Sequence, residues 1–502
     1  MRDCRPRIFA ALALASLLFT VPAFAQAGLS HLGDASLVPK GMLRLHSAVA
    51  WTRFDSQFGP NGVQPLGGIF TADSFGVRQL PRLAAAESLV REASDIPFSL
   101  TLGRSRLDAT AREEVIPLAL EYGLTDRLSI GVMVPFVRKR VAIVFRLDTV
   151  GGFAANAGPN RHRTDPTAAQ NNVTLQAQFA QAAQQLQQRL TDCENDPGLP
   201  GCAALLPRSA EAQALIAESQ ALAVELDQLY GGTTSAGAAF VPLAGSAAQV
   251  AIEARIAALS AQYRDLLGAA VELIPARPFG AGGPAGVAQV QQFLSAEEGR
   301  DTIASRERVG IGDIELGFML RVLSRVAATP RALGMQLALA GALRLPTGSD
   351  SSSSDVTDMR LGENSARIST RLLLDVSARR FGLLASGRFD QKLGTPASND
   401  ALDLSPWKSD SRIIEIGVAP RWHLSGPLAI HGAYSLRSGS LAGTDQLLGG
   451  GISFSNLRNV ASGKTPPIEM RFTHLESISG DAGRPKFFRD QLELRIYYRL
   501  RR

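Results

Sequence analysis

From Leu128 the chain reads LSIGVMVPF, with Leu128, Ile130, Val132, Val134 and Phe136 at alternate positions and Ser129, Gly131 and Met133 between them. A repeat of two puts the two sets on opposite faces of an extended strand. The preceding stretch does the same, setting Ile116, Leu118, Leu120 and Tyr122 against Val115, Pro117, Ala119 and Glu121, so the intervening GLTD predicts a hairpin turn. The pattern returns after residue 308. Ile314, Leu316, Phe318, Leu320 and Val322 alternate with Asp313, Glu315, Gly317, Met319 and Arg321, and Leu337, Leu339, Leu343 and Leu345 with Gln336 and Arg344. Ile368, Leu372, Leu374 and Val376 alternate with Arg367, Ser369, Arg371 and Asp375; Ile414, Ile416, Val418 and Trp422 face away from Glu415, Gly417 and Arg421. Near the end, Ile468, Met470 and Phe472 oppose Glu469 and Arg471, and Leu492, Leu494, Ile496 and Tyr498 oppose Glu493, Arg495 and Tyr497.

Two architectures produce one apolar and one polar face. In a soluble sandwich the apolar face meets a second sheet; in a membrane barrel it meets lipid and the charged face lines the lumen. The alternating segments run to about ten residues or more, as tilted membrane strands require. Connections also alternate short (GLTD, ARRFG, HLSGP) with long (near 55–110, 147–307, 346–365 and 394–410), the asymmetry of periplasmic turns and outer loops. The expectation is an all-β, antiparallel membrane barrel with strands near 41–54, 112–122, 127–141, 310–323, 333–346, 366–378, 381–393, 411–423, 427–439, 446–456, 467–476 and 487–500. That is about twelve strands, an even number that returns both termini to the periplasm, and closure leaves no edge to protect. Phe98–Asp108 (FSLTLGRSRLD) could add a strand, making fourteen possible. Trp51, Phe136, Trp422 and Tyr498 fall near strand ends, where an aromatic girdle belongs.

Between about 147 and 307 the period changes. Leu175, Phe179, Ala182, Leu186 and Leu190 step by four and three, as do Ile252, Ile256, Leu259, Tyr263 and Leu266; Leu215, Leu222, Leu226 and Leu229 form a poorer third seam. Barrel topology makes this an α-helical insert in the second outer loop. Cys193 and Cys202 flank ENDPGLPG, where a disulfide would staple the turn between the first two helices; two free thiols are the alternative.

The N-terminus sets the address. Arg2, Arg5 and Arg7 precede an apolar run from Ile8 to about Val21 and then Ala23-Phe24-Ala25, the three parts of a secretory signal peptide. The run is too short for a membrane anchor, which needs about 20 residues. Domain organisation is therefore a signal peptide at 1–25 and one barrel domain at 26–502, with 147–307 inserted in it. The chain is 45% hydrophobic, with a mean hydropathy of +0.04, yet no uninterrupted apolar stretch suits a membrane helix. Net charge is +6, falling to +4 once Arg2, Arg5, Arg7 and Asp3 leave, and both signs are dispersed, which argues against nucleic acid.

LVPKGMLRL (Leu37–Leu45), EYGLTDRLSIGVMVPF, GIGDIELGFMLRV and ALRLPTGSD resemble the bacterial outer-membrane barrel family of phenol-degradation meta-pathway proteins, over roughly 37–147 and 308–502. The resemblance implies a channel for uptake of hydrophobic or aromatic small molecules. It leaves the helical insert unmatched, and the chain departs from the usual ending, since RLRR follows Tyr497 and Tyr498, where barrel-assembly machinery commonly reads a terminal aromatic residue.

With the apolar positions outward, the lumen-lining candidates are Arg44, His46, Glu121, Asp313, Glu315, Arg321, Arg344, Arg371, Asp375, Arg388, Asp390, Glu415, Arg421, Arg437, Glu469, Arg471, Glu493 and Arg495. Both signs are present, so adjacent strands can pair them, either as a structural network or as the groups that decide what passes. Catalysis is not expected. His431 and Ser435 lie four apart on the inward face of one strand, about 13 Å along it, beyond hydrogen-bond reach, and no GxSxG elbow, HExxH helix or GxGxxG loop is present. Asp350, Asp355 and Asp358 in GSDSSSSDVTD have calcium-binding chemistry but no EF-hand spacing, so a solvated loop is the expectation and no metal or cofactor is assigned. The sequence thus predicts a passive or gated outer-membrane channel whose partners are lipid, a small solute and the assembly machinery. The alternative is a barrel-anchored binding or adhesion protein that presents the insert. The sequence leaves oligomeric state open.

Overall fold

The period-two segments pair in chain order. A computed structural model describes residues 34–499 apart from 151–153, 326–331, 350–356, 358, 395–405, 408–409, 440–442 and 458–466; the expected signal peptide lies outside the described residues. The strands are β1 (Met42–Gly59), β2 (Gly62–Pro65), β3 (Arg104–Gly123), β4 (Leu128–Asp148), β5 (Ala157–Pro159), β6 (Phe240–Pro242), β7 (Arg306–Ile311), β8 (Glu315–Arg325), β9 (Gly334–Arg344) and β10 (Arg367–Ala378). They continue with β11 (Phe381–Lys392), β12 (Arg412–His423), β13 (Leu428–Gly439), β14 (Gly443–Ser455), β15 (Ile468–Gly480) and β16 (Pro485–Arg499). Two units partition the chain: Met1–Gly67, Asp108–Val144 and Ala304–Arg502 make one, Gly68–Leu107 and Phe145–Ile303 the other.

The first unit is a closed antiparallel barrel of twelve staves, in which β7 and β8 are successive halves of one stave, both paired with β4. Closure comes from β16 against β1, in register from Met42–Arg499 to Gln57–Pro485 with one bulge at Phe54/Ser56. No barrel edge is left along that seam. The extra stave considered at Phe98–Asp108 does not form: Arg104–Asp108 is the outer end of β3 itself. β3 and β4, at 20 and 21 residues, run well past the predicted limits because alternation continues there with charged outward residues in place of apolar ones.

Three prolines within staves mark lapses in the ladder, since proline has no N–H to donate. The β1–β3 register runs from Leu43–Tyr122 to Ser47–Leu118, lapses opposite Pro117 and resumes at Ala50–Val115. Opposite Pro420, the β12–β13 register skips from Val418–Tyr434 to Arg421–His431. At Pro135 the consequence is larger. Its carbonyl accepts from Gly312 at 2.8 Å, but its nitrogen offers nothing to the same neighbour, and Gly312, Asp313 and Ile314 leave the ladder between β7 and β8.

The outer surface carries the apolar set. Leu118, Leu120, Ile130, Phe318, Leu372, Ile416, Ile452 and Leu492 are all exposed, as are Trp51, Phe136, Trp422 and Tyr498. Inward positions hold the polar set; among the described residues no second sheet covers the apolar face, and the closed register excludes the sandwich alternative. Two further pieces of chain enter the lumen. Asp34–Val38, just before β1, packs Ala35 and Leu37 on Ala338, Leu373 and Met319. The loop after β9 brings Leu361 against Val115 and Val137. Glycine is needed at both approaches: a Cβ at Gly123 would lie 2.1 Å from the Pro39 carbonyl oxygen, and one at Gly362 2.3 Å from an Asp313 carboxylate oxygen.

The second unit is helical: α1 (Leu83–Ser94), α2 (Pro166–Asn195), α3 (Cys202–Leu205), α4 (Ser209–Tyr230), α5 (Ala247–Leu267) and α6 (Val287–Ala296). Each seam read from the sequence is buried, with Phe179 and Leu186 on α2, Leu222 and Leu229 on α4, and Ile252 and Ile256 on α5. Asp165 caps α2 by accepting from Thr167 and Ala168, and Ser246 caps α5 by accepting from Gln249. Cys193 and Cys202 are disulfide-bonded, Cα atoms 5.2 Å apart, joining the end of α2 to the start of α3. The unit is wider than the predicted insert, because Gly68–Leu107 from the first outer connection contributes α1, which packs on α4 and α5. Its buried Leu83, Ala86, Val90 and Ala93 follow the same steps of three and four.

Candidate functional site

The barrel lumen is organised by alternation: on each stave, positions two apart share the inward face, and pairing brings inward residues of neighbours side by side. The predicted residues fall at three levels, counted from the short-turn end.

At the first level the wall grips the N-terminal segment. The Asp34 carboxylate accepts from Arg495 Nη1 at 2.8 Å and Arg471 Nη2 at 3.3 Å. Arg44 donates to the Ser36 carbonyl at 3.1 Å and, through Nε, to Glu121 at 3.2 Å. Glu493 sits between Arg495 Nε (2.8 Å) and His46 Nε2 (3.0 Å), while Tyr497 donates to Glu469 at 2.7 Å. Arg421 reaches Asp375 at 3.5 Å, and Arg321, close to the turn, donates to the Asp126 carbonyl at 3.1 Å.

The second level holds the inner loop. Asp313, displaced from the ladder, accepts from Gly348 N at 2.9 Å and Glu363 N at 2.7 Å; Ile314 N donates to Thr347 Oγ1 at 2.8 Å. Of the backbone groups at the β7–β8 break, Ile314 N is thus satisfied by the loop, while Gly312 N keeps the Pro135 carbonyl of β4. Glu363 in turn pairs with Arg344 (3.1 Å) and Arg367 (2.7 Å), and Arg344 also reaches Glu315 at 3.3 Å. Beside them Arg388 pairs with Asp390 and, at 3.7 Å, with Glu415; Ser369 donates to Asp390; Arg371 borders the same space. At the third level Arg437 Nε donates to Asp445 at 3.0 Å, Arg484 reaches Asp410 at 3.5 Å, and Lys139 reaches Glu113 at 3.8 Å with its ammonium 4.9 Å from the Trp407 ring centroid.

Sequence reasoning missed two kinds of participant. Glu113, Lys139 and Arg489 lie on the inward parity of staves already identified, so continuing the alternation finds them. Asp34, Glu363, Asp410 and Arg484 lie off the staves, where no period signals an inward direction. His431 hydrogen-bonds Thr473 at 3.0 Å and does not meet Ser435. Asp350, Asp355 and Asp358 lie outside the described residues; among the described residues no cluster of His, Cys, Asp or Glu could hold a metal.

Two cavities lie among the described residues of the lumen. One cavity of about 70 Å³ is lined by Arg44, Glu121 and Arg371 together with Gly131, Gly317 and Ala342, and reaches the outward-facing Ile130 and Phe318. Another of about 140 Å³ lies between Ser36, Asp375, Arg421 and Arg471. The first is below the roughly 150 Å³ that admits benzene in an apolar protein cavity.

No family model matches the sequence, and no curated protein does; the grouping with phenol-degradation proteins is without that support. Solved structures with some likeness include a COG4313 outer-membrane channel from Pseudomonas putida F1, at 11% identity over 93% of this chain and 98% of that one, with a TM-score of 0.39. The toluene transporter TbuX of Ralstonia pickettii gives 12% identity over 92% and 90%, with a TM-score of 0.28. A Pseudomonas aeruginosa FadL homologue gives 8% over 92% and 90%, with a TM-score of 0.24. Scores this far below 0.5 do not establish a shared fold, and the barrel stands on the strand register described above.

Proposed function

We propose that the protein is an outer-membrane channel for small molecules, held shut by Asp34–Val38 and by the loop that carries Glu363. The observation that carries this reading is the way the lumen is filled. Two backbone segments enter it beside the wall side chains, and each is held by ion pairs and hydrogen bonds to inward residues that would remain as a charged lining once it withdrew. Arg44, His46, Glu121, Asp375, Arg421, Arg471, Glu493 and Arg495 would line the lower half of the path; Asp313, Glu315, Arg344, Arg371, Arg388, Asp390 and Glu415 the middle. The cavity beside Arg44 and Arg371 carries charged residues together with small and apolar ones; widened by withdrawal of Asp34–Val38, it would suit a compact solute with an apolar body and a polar group. No step in this reading requires a reaction.

The test is current through planar bilayers containing the purified chain, alone and with residues 34–38 deleted. Deletion should raise the conducting fraction and admit small solutes. If both remain closed, the barrel is an anchor, and the helical unit becomes the place to look for a binding partner. Deleting about 155–300 asks separately whether that unit controls flux.

A further inference from the structure

On the outer face of β1, β3 and β4 the apolar series ends at one level. Ile130, Val132, Val134 and Phe136 on β4 give way to Arg138 and Arg140; Leu120, Leu118 and Ile116 on β3 give way to Glu114 and Arg112; Trp51 on β1 gives way to Arg53. On β16 the change comes at Asp490 and Phe488, and on β15 at His474. This is the long-loop end of the belt. A groove of about 640 Å³ runs across these staves, with Arg53, Arg112, Arg138 and Arg140 in its lining and Trp51 and Phe488 beside them.

The charges in the groove are not matched among themselves. Arg138 pairs with Glu307 at 2.8 Å, His474 with Asp490 at 2.8 Å, and Arg53 approaches Asp55 only at 3.8 Å. Among the described residues the Arg112 and Arg140 side chains form no ion pair or hydrogen bond, although Glu114 lies in the same groove and Glu307, taken by Arg138, stands opposite Arg140 across the β4–β7 ladder. Arg112 stands directly opposite Arg53 across the β1–β3 ladder, a like-charge pair that disfavours the sheet unless an anion lies between them. Guanidinium groups at the margin of an apolar surface are suited to phosphate, which they take through two parallel N–H donors.

We propose that this groove binds the phosphorylated headgroup of an outer-leaflet lipid, with Arg112 and Arg140 as the phosphate ligands. The apolar belt directly below, at Ile116, Leu118 and Phe136, offers the acyl chains a surface, which free phosphate would not use. Trp51 and Phe488 flank the headgroup at interfacial depth. The proposal rests on the outer-membrane reading but not on conduction, so the two fail separately.

The experiment is native mass spectrometry of the full chain in detergent with a bis-phosphorylated glucosamine-disaccharide lipid, its dephosphorylated counterpart and excess inorganic phosphate. The phosphorylated lipid should be retained, R112Q/R140Q should weaken it by at least about tenfold, and R112K/R140K should recover part of the loss. The dephosphorylated lipid should bind as weakly to the native chain as the phosphorylated lipid binds to R112Q/R140Q. Equal retention by native chain and R112Q/R140Q, equal binding of the dephosphorylated lipid, or displacement by inorganic phosphate would overturn the assignment. Thermal melting of R112Q/R140Q should match the native chain, excluding misfolding, and its bilayer conductance should be unchanged. A native chain that binds the lipid but never conducts would sink the channel reading alone.

Discussion

Replacing Asp34 with Ala tests the grip on the N-terminal segment most directly. The carboxylate is buried and accepts from Arg495, Arg471 and Ser36 N, the last at 3.1 Å. Hydrogen bonds to a charged group contribute about 1.5–3 kcal/mol each, and stripping one partner from a buried pair costs about 3–5 kcal/mol. The cost here is softened, because Arg495 keeps Glu493 at 2.7 Å and Glu469 at 3.7 Å, and Arg471 keeps Glu493 at 3.9 Å. About 2 kcal/mol is therefore expected, a factor of about 30 in the equilibrium between seated and released segment. Leu37, 5% exposed when seated, is the reporter. In a Leu37→Cys background, labelling by a water-soluble maleimide should proceed about 30 times faster with Asp34→Ala than without it, provided reseating is faster than labelling. Equal rates would mean that the apolar contacts of Ala35 and Leu37 hold the segment and that the ion pairs do not, and the account of the first level would be wrong.

Three other predictions test separate parts of the molecule. Ile416→Arg places a charge on the lipid-facing side of β12 near mid-height and should lower barrel stability in vesicles by about 2–4 kcal/mol, read by denaturant titration of tryptophan fluorescence; no loss would mean that the belt does not meet hydrocarbon. Reducing the Cys193–Cys202 bridge, which spans 9 residues in sequence, should destabilise the helical unit by about 2.5 kcal/mol on the chain-entropy model, lowering the melting midpoint of its helical circular-dichroism signal while the strand signal persists. The hydrogen bond from Arg161, followed by those from the Thr167 and Ala168 N–H groups, holds the Asp165 carboxyl below its ordinary value of 3.8. A depressed carboxyl stabilises the folded state above the unfolded value and loses that contribution as pH falls through the folded one. Amide exchange at the first turn of α2, compared with Asp165→Asn at each pH, should therefore accelerate only below about pH 3.8; identical profiles would remove the charge from the cap.

Alternation showed the two faces of each strand, and strand length with the short and long connections turned that pattern into a barrel. Once Leu128–Phe136 and its counterparts are written with period two, the inward residues and the outward belt follow, because a strand side chain has only two directions to take. Helical seams were equally legible: Phe179, Leu186, Ile256 and Tyr263 are buried where steps of three and four put them. The break between β7 and β8 was not legible: alternation carries one strand over 310–323, and Pro117 and Pro420 lack the same N–H as Pro135 without splitting a stave. The sequence could not say what occupies the lumen. Asp34, Glu363 and Asp410 lie on irregular backbone, where direction is set by partners on other elements, Arg495, Arg344 and Arg484, and Asp34 meets Arg495 only after the barrel closes. Tertiary structure alone also joined Gly68–Leu107 to the helical unit, because α1 buries an apolar face too short to be stable by itself and draws its stability from α4 and α5. Local periodicity fixes which way a side chain points; only the closed register decides what it finds there.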